Sequence, residues 1–221
     1  NDSYRPNPEN AVHTFCHCID HTWHQMAVIL SAASCLSWVT QLTGYKDEAS
    51  LLSEIEKLDF SKPSQVTFLP YLSGERTPHN NPNAQGVFFG LGHNTDSAEL
   101  GRAVLEGIAF AFADAQQAML TAGTQIDTVS VIGGGSVSQL WGKILASVLN
   151  RNLVYGHGGE VGPAYGAARL AKIGLNSMPA GQVCVAPKVK YIIKPDAIMS
   201  GYYSKQHLKY QQLYQSLKHH F

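Results

Sequence analysis

The chain has 221 residues, 44% of them hydrophobic and 14% charged, which is enough to fill one sizeable core. Sixteen Lys plus Arg balance sixteen Asp plus Glu for a formal net charge of zero, and no dense basic run occurs, so nucleic acid and anionic membrane surfaces are excluded as main partners. No apolar run reaches membrane-spanning length, and Cys16, Cys18, Cys35 and Cys184 lack the spacing of a disulfide framework; the reading is a cytoplasmic globular protein with a small-molecule partner. The start, Asn1-Asp-Ser-Tyr-Arg-Pro, has neither an initiator Met nor a signal-peptide layout and reads as a cut from something longer.

Ala11 to Ile19 reads as a strand, Asp20 to Thr22 as a turn, and Trp23 to Gln25 as the start of a return strand. His13, His17, His21 and His24 lie here beside Cys16 and Cys18. Alternation along a strand sends the cysteines to one face and His13 and His17 to the other, so ordinary packing is expected and no metal site. From Ala27 the period changes: Val28, Ile29, Ala32, Ala33, Leu36, Val39 and Leu42 make a helical stripe that ends near Gly44. Leu51 to Leu58 is a second helix and Val66 to Leu69 a short buried strand. The next stretch, Pro70 to Gly86, packs prolines and glycines into a long loop in which Glu75 and Arg76 read as a structural ion pair ahead of catalytic charges. Gly86 to Leu91 is a strand. Asp96 and Glu99 form a helix start, and Leu100, Val104, Ile108, Ala111, Ala115 and Met119 give a long amphipathic helix closed by Gly123, with Arg102, Glu106 and Asp114 as solvated or paired charges.

Thr128-Val-Ser-Val-Ile-Gly-Gly-Gly-Ser-Val-Ser-Gln-Leu-Trp141 is the most informative stretch: strand, glycine turn, then a helix through Leu149. Residues without a Cβ let a flat ligand lie on the main chain, and the following helix offers free N–H groups, which points to a nucleotide. Other readings stand beside it. Gly133-x-Gly135-x-x-Ser138 is a dinucleotide fingerprint missing its third glycine. Gly134-x-Ser136-x-Ser138 is a nucleophile elbow missing its last one. A tight turn needed only for packing is the plainest alternative, and the absence of Gly-Lys-Ser/Thr excludes a P-loop. Leu153 to Tyr155 is another strand. Pro163 opens a further helix to Ile173, Gly174 to Pro187 is a linker, Val189 to Ile193 a strand, and Tyr203 to Leu217 a terminal helix. The order describes an α/β domain with a mixed sheet.

Gly86-Val-Phe-Phe-Gly-Leu, seven residues, then Glu99-Leu-Gly-Arg-Ala-Val-Leu-Glu106 resembles the second signature of the FGGY carbohydrate kinases. Val131-Ile-Gly-Gly-Gly-Ser136 resembles that family's adenosine motif, and Val161-Gly-Pro-Ala-Tyr-Gly-Ala-Ala168 its second connecting helix at the interdomain hinge. The loop Phe68-Leu-Pro-Tyr-Leu-Ser-Gly-Glu-Arg-Thr-Pro-His-Asn-Asn-Pro82 and His13-Thr-Phe-Cys-His17 resemble the xylulose-kinase branch.

The resemblance implies a ribonuclease H-like, actin-like ATPase fold with a mixed sheet flanked by helices. Residues 1–221 correspond to a single C-terminal, nucleotide-side domain, with 175–221 as linker and terminal helix and the sugar-binding N-terminal domain absent. It further implies MgATP as phosphoryl donor, a sugar as acceptor and a homodimer for the full-length enzyme. ATP should lie over Gly133, Gly134 and Gly135, flanked by Ser136 and Ser138, with Ala33 and Ser37 walling the other side. No aspartate here, including Asp96, Asp114 and Asp127, fits the family's catalytic pattern, so the resemblance places the catalytic residues outside the chain. Ribulose, fuculose, gluconate and glycerol remain open as substrates beside D-xylulose, as does a non-catalytic actin-like module.

Overall fold

The computed structural model describes residues 1–159 and 162–221, together with all of their side chains except that of Asn176. Strands β1 (His13–Cys16) and β2 (Trp23–Met26) form an antiparallel hairpin, with His13 opposite Met26 and Phe15 opposite His24. His13 and His24 each stack with Phe15, and among the described residues no three His, Cys, Asp or Glu side chains gather to hold a metal ion.

Helix α1 (Ala33–Leu42) starts six residues later than the apolar stripe predicts. The reason is local. The Val28 N–H donates to Thr77 Oγ1 at 2.9 Å, Thr77 N–H donates to the Val28 carbonyl at 3.0 Å, and Leu30 N–H donates to Glu75 Oε1 at 3.1 Å. With their donors taken by the Glu75 to Thr77 loop, Val28 and Leu30 stay out of the helix. Helix α2 (Glu48–Ile55) starts and ends three residues before its predicted span, because the Asp47 side chain accepts from the Ser50 N–H and caps it.

Strands β3 (Thr67–Pro70) and β4 (Gly86–Phe89) pair antiparallel over α3 (Ser97–Thr121), which Asp96 caps as predicted by accepting from Glu99 N–H. At 25 residues α3 runs about 37 Å. It is buried along most of its length because helices and sheet surround it: α1 and α2 on one side, β3 on another, and α4 (Gln139–Leu149) and α7 (Ala197–Leu217) beyond. A Cβ on Gly107 would sit 2.3 Å from the Phe68 carbonyl oxygen, so only glycine lets α3 lie this close to β3. Arg102 and Glu106 are paired as expected but buried, at 2% and 3% exposure, with Nε to Oε1 at 2.8 Å. The remaining guanidinium donors reach the Asp59 and Lys62 carbonyls, and Tyr203 OH donates to Glu106, so every strong group has a partner.

The third sheet has strand order β5 (Thr128–Val131), β6 (Asn152–Gly156), β7 (Val189–Ile193), the first pair parallel and the second antiparallel. This is the expected mixed sheet, though the strands divide among three small sheets. Its inner face packs Leu153 and Tyr155 on Ala113, Ala146 and Leu149 of α3 and α4. Helix α5 (Pro163–Asn176) follows β6, and a short helix α6 (Ala180–Val183) lies within the predicted linker. Helix α7 begins at Ala197, six residues ahead of the predicted start, because Asp196 caps it. It enters the main core through Met199, Tyr203 and Tyr210.

Candidate functional site

The glycine turn leaves β5 at the carboxyl end of the parallel β5–β6 pair, the edge at which open α/β sheets bind ligands. Gly133 has φ +85°, and its N–H donates to the Gly159 carbonyl at 3.0 Å, tying the turn to the loop after β6. Gly134 to Val137 make one 3-10 turn, in which Ser136 Oγ donates to the Gly133 carbonyl at 2.7 Å. Ser138 then caps α4 by accepting from Trp141 N–H at 3.2 Å.

Each glycine meets a different demand. Gly133 needs the left-handed backbone. A Cβ on Gly135 would come within 3.0 Å of the Trp141 ring. A Cβ on Gly134 would meet nothing within 4 Å, so the protein's own packing does not call for a glycine there. The empty space over Gly134 belongs to a cleft of about 820 Å³ that separates the turn from α1 and α2.

Of the residues the sequence singles out, Ala33, Ser37, Gly134, Gly135 and Ser138 line this one cleft. Gly133 and Ser136 shape the turn from outside the lining. Sequence reading missed Glu48, Leu52, Glu56 and Trp141, which also line it. The available signal was the acidic first turn of α2 after its Asp47 cap, which reads from sequence only as a helix start. The charged side chains lining the cleft are Glu48 and Glu56, both acidic. Ser37 Oγ donates to Glu48 Oε1 at 2.5 Å and holds that carboxyl below its ordinary range.

The expected Glu75 and Arg76 ion pair does not form. Glu75 is 2% exposed, and its Oε1 accepts from the main-chain N–H groups of Leu30 and Arg76 at 3.1 and 2.7 Å, while the Arg76 guanidinium turns out to His13 Nε2 at 3.2 Å. Glu75 Oε2 is buried with no partner among the described residues. Burial, with Asp114 adding repulsion, pushes the Glu75 carboxyl up to about 7. The role of Glu75 is therefore to hold the segment leading into α1, the wall of the cleft.

The three aspartates weighed from the sequence have other places in the fold. Asp96 caps α3, Asp114 accepts from His207 Nε2 at 2.8 Å and Gln211 Nε2 at 2.6 Å, and Asp127 is exposed on the approach to β5. Of the motif read as a connecting helix, Val161 lies outside the described residues, as does Glu160. The rest opens α5, whose Tyr165, Leu170 and Leu175 side chains are all exposed, Leu175 to 85%.

Comparison with known proteins identifies the family. The model of the FGGY family of carbohydrate kinases, C-terminal domain, matches residues 3–175. The chain is 44% identical over 218 residues to a xylulose kinase of Escherichia coli and 41% identical to one of Klebsiella pneumoniae, in each case over 98% of this chain and 45% of the relative. It superposes on the crystal structure of a xyloylose kinase from Brucella ovis with a TM-score of 0.93 at 42% identity, over 100% of this chain and 46% of that one. The fold is shared with xylulose kinase from Rhodospirillum rubrum, TM-score 0.83 at 23% identity, covering 98% of this chain and 44% of that one. The chain spans a little under half the length of the curated relatives it matches. A matched family model over most of the chain, with the two-helix wall and glycine turn in place, establishes that it belongs to the FGGY family of carbohydrate kinases as the C-terminal domain.

Proposed function

We propose that the chain is the nucleotide-holding half of an ATP-dependent kinase that phosphorylates D-xylulose to D-xylulose 5-phosphate. The observation that carries this reading is Gly134: a glycine that the protein's own packing does not require, under an empty cleft at the carboxyl end of a parallel strand pair. The substrate assignment is supported by the xylulose kinases at 41 to 44% identity and by the Tyr71 to Pro82 loop.

In this reading a preceding half supplies the sugar site and the carboxylate that takes the hydroxyl proton, and closure of the two halves aligns donor and acceptor away from water. That half seats against α5 and the β5 edge, where Phe112, Ile132, Tyr165, Leu170 and Leu175 leave apolar surface exposed. ATP supplies the transferred phosphoryl group with its Mg²⁺. The residues of this chain that hold the nucleoside are Ala33, Ser37, Gly134, Gly135 and Ser138, with Gly133 and Ser136 setting the turn. The metal is assigned to no residue here. The enzyme works in the cytoplasm, where ATP is available, as a homodimer whose mass light scattering would check.

Replacing Gly134 by Val in the full-length enzyme should raise the KM for ATP at least about tenfold. The KM for the sugar and the melting temperature should stay unchanged, since the new side chain fills space that only a ligand uses. An unchanged KM for ATP in a normally folded variant would refute the assignment.

A further inference from the structure

The cleft has a polarity that the glycine turn does not explain. Its α2 wall carries Glu48 and Glu56, and among the described residues no Lys or Arg lines it. A triphosphate cannot point at two carboxylates without repulsion. The phosphates must therefore leave on the other side, past Gly133 and the Gly159 loop to which it is bonded. The part of a nucleotide farthest from its phosphates is the base, so the base edge is what reaches α2.

At that wall the Ser37 hydroxyl has already given its proton to Glu48 Oε1, at 2.5 Å. What Ser37 and Glu48 have left to offer the cleft is therefore lone pairs alone, those of Ser37 Oγ and of the Glu48 carboxylate. Two acceptors side by side match a group with two hydrogens to give and reject a carbonyl oxygen, which would set acceptor against acceptor. The hydrogen bond from Ser37 lowers the Glu48 carboxyl still further below its ordinary value, so the carboxylate acts only as an acceptor.

We propose that the Ser37 and Glu48 pair receives the exocyclic amino group of adenine and makes this cleft selective for adenine over 6-oxopurine nucleotides. The proposal rests on the nucleotide reading of the cleft. Glu48 then acts as a specificity residue that touches the base, while Ser37 fixes its carboxylate in place.

The test is calorimetric titration of the 221-residue chain and of the full-length enzyme with ATP, inosine triphosphate and 2′-deoxy-ATP, for the wild type, Glu48→Ala, Glu48→Gln and Ser37→Ala. The wild type should favour ATP over inosine triphosphate by about tenfold, the size of one charge-assisted hydrogen bond. Glu48→Ala should bring ATP down to the level of inosine triphosphate while leaving inosine triphosphate no weaker, so that the preference collapses towards one. Glu48→Gln, which keeps the volume and one acceptor, and Ser37→Ala should fall between. A purely structural role for Glu48 would weaken all nucleotides alike and leave the ratio intact, which overturns the proposal. A preference that Glu48→Ala removes for ATP over 2′-deoxy-ATP instead would mean that the pair reads the ribose, and overturns it too. Failure of the wild type to bind any nucleotide in either form sinks the cleft reading itself, whereas ATP binding without selectivity sinks the base contact alone.

Discussion

Three adjacent glycines that look alike in the sequence do three different things: Gly133 bends the chain, Gly135 clears the Trp141 ring, and Gly134 leaves space. The sequence shows the run and its place after a strand, which suffices to suggest a ligand. It cannot show which glycine is free of the protein's own packing, because that depends on a tryptophan six residues on. Glu75 teaches the same lesson from the other side. Beside Arg76 it reads as half of an ion pair, yet two main-chain N–H groups claim its carboxyl, one from a segment 45 residues away. Its raised value has a consequence for stability. Between the ordinary value of 4.5 and about 7 the folded chain keeps a proton that the unfolded chain has released, so this group's contribution falls as pH rises through that window and is level above it. The loss amounts to about 3 kcal/mol at most. Urea unfolding at about pH 5 and about pH 8 should show this slope in the wild type and its disappearance in Glu75→Gln. The same pH dependence in both proteins would contradict the assignment.

At the scale of elements, periodicity recovers the helices and strands that pack on their own terms. Helix α3 and its Asp96 cap, the β3–β4 pair and the strand–turn–helix at β5 all stand close to where the spacing of apolar residues puts them. It fails where distant side chains decide. The apolar stripe from Val28 is helical in spacing, but the Glu75 to Thr77 loop binds the Val28 and Leu30 N–H groups and the helix starts only at Ala33, so that α1 meets the cleft with its first turn. Helix α7 reads from sequence as a polar, partly amphipathic terminal helix, yet Tyr203 and Tyr210 are fully enclosed with their hydroxyls bonded to Glu106 and Tyr71. The Arg102 and Glu106 pair shows how closely α3, α7 and the residues after α2 depend on one another. Arg102→Ala leaves Glu106 buried without its cation and frees the Asp59 and Lys62 carbonyls, so it should cost about 3 to 5 kcal/mol in urea unfolding. A loss below about 1 kcal/mol, the range of a surface pair, would show that the site is wetter than its geometry indicates.

On the scale of the whole molecule, the fold builds a main core and a smaller one under the third sheet, and leaves apolar side chains exposed on α5. The main core joins α1, α2, α3, α4 and α7 with the β3–β4 pair, while α5 carries apolar side chains in the open. The family match covers residues 3–175 and the curated relatives are about twice as long, which agrees with the proposal that a further half carries the rest of the machinery. The family is legible in the sequence from Gly86 to Glu106 and from Val131 to Ser136, and the second of these stretches is also what suggests the proposed nucleotide role. The acidic α2 wall is not legible there, because Glu48 and Glu56 join the cleft only through folding. The central claim is that this half grips the nucleotide and holds no catalytic base, and a coupled ADP-release assay on the 221-residue chain and on the full-length enzyme tests it most directly, with D-xylulose, D-ribulose, L-fuculose, gluconate and glycerol in parallel. General-base help is worth about 10² to 10⁴ in rate, and the sugar site is lost with it, so the chain alone should give no sugar-dependent ADP while the full-length enzyme turns over D-xylulose fastest. Sugar-dependent turnover by the chain alone would contradict the account, and a full-length enzyme that prefers another of the five would contradict its substrate.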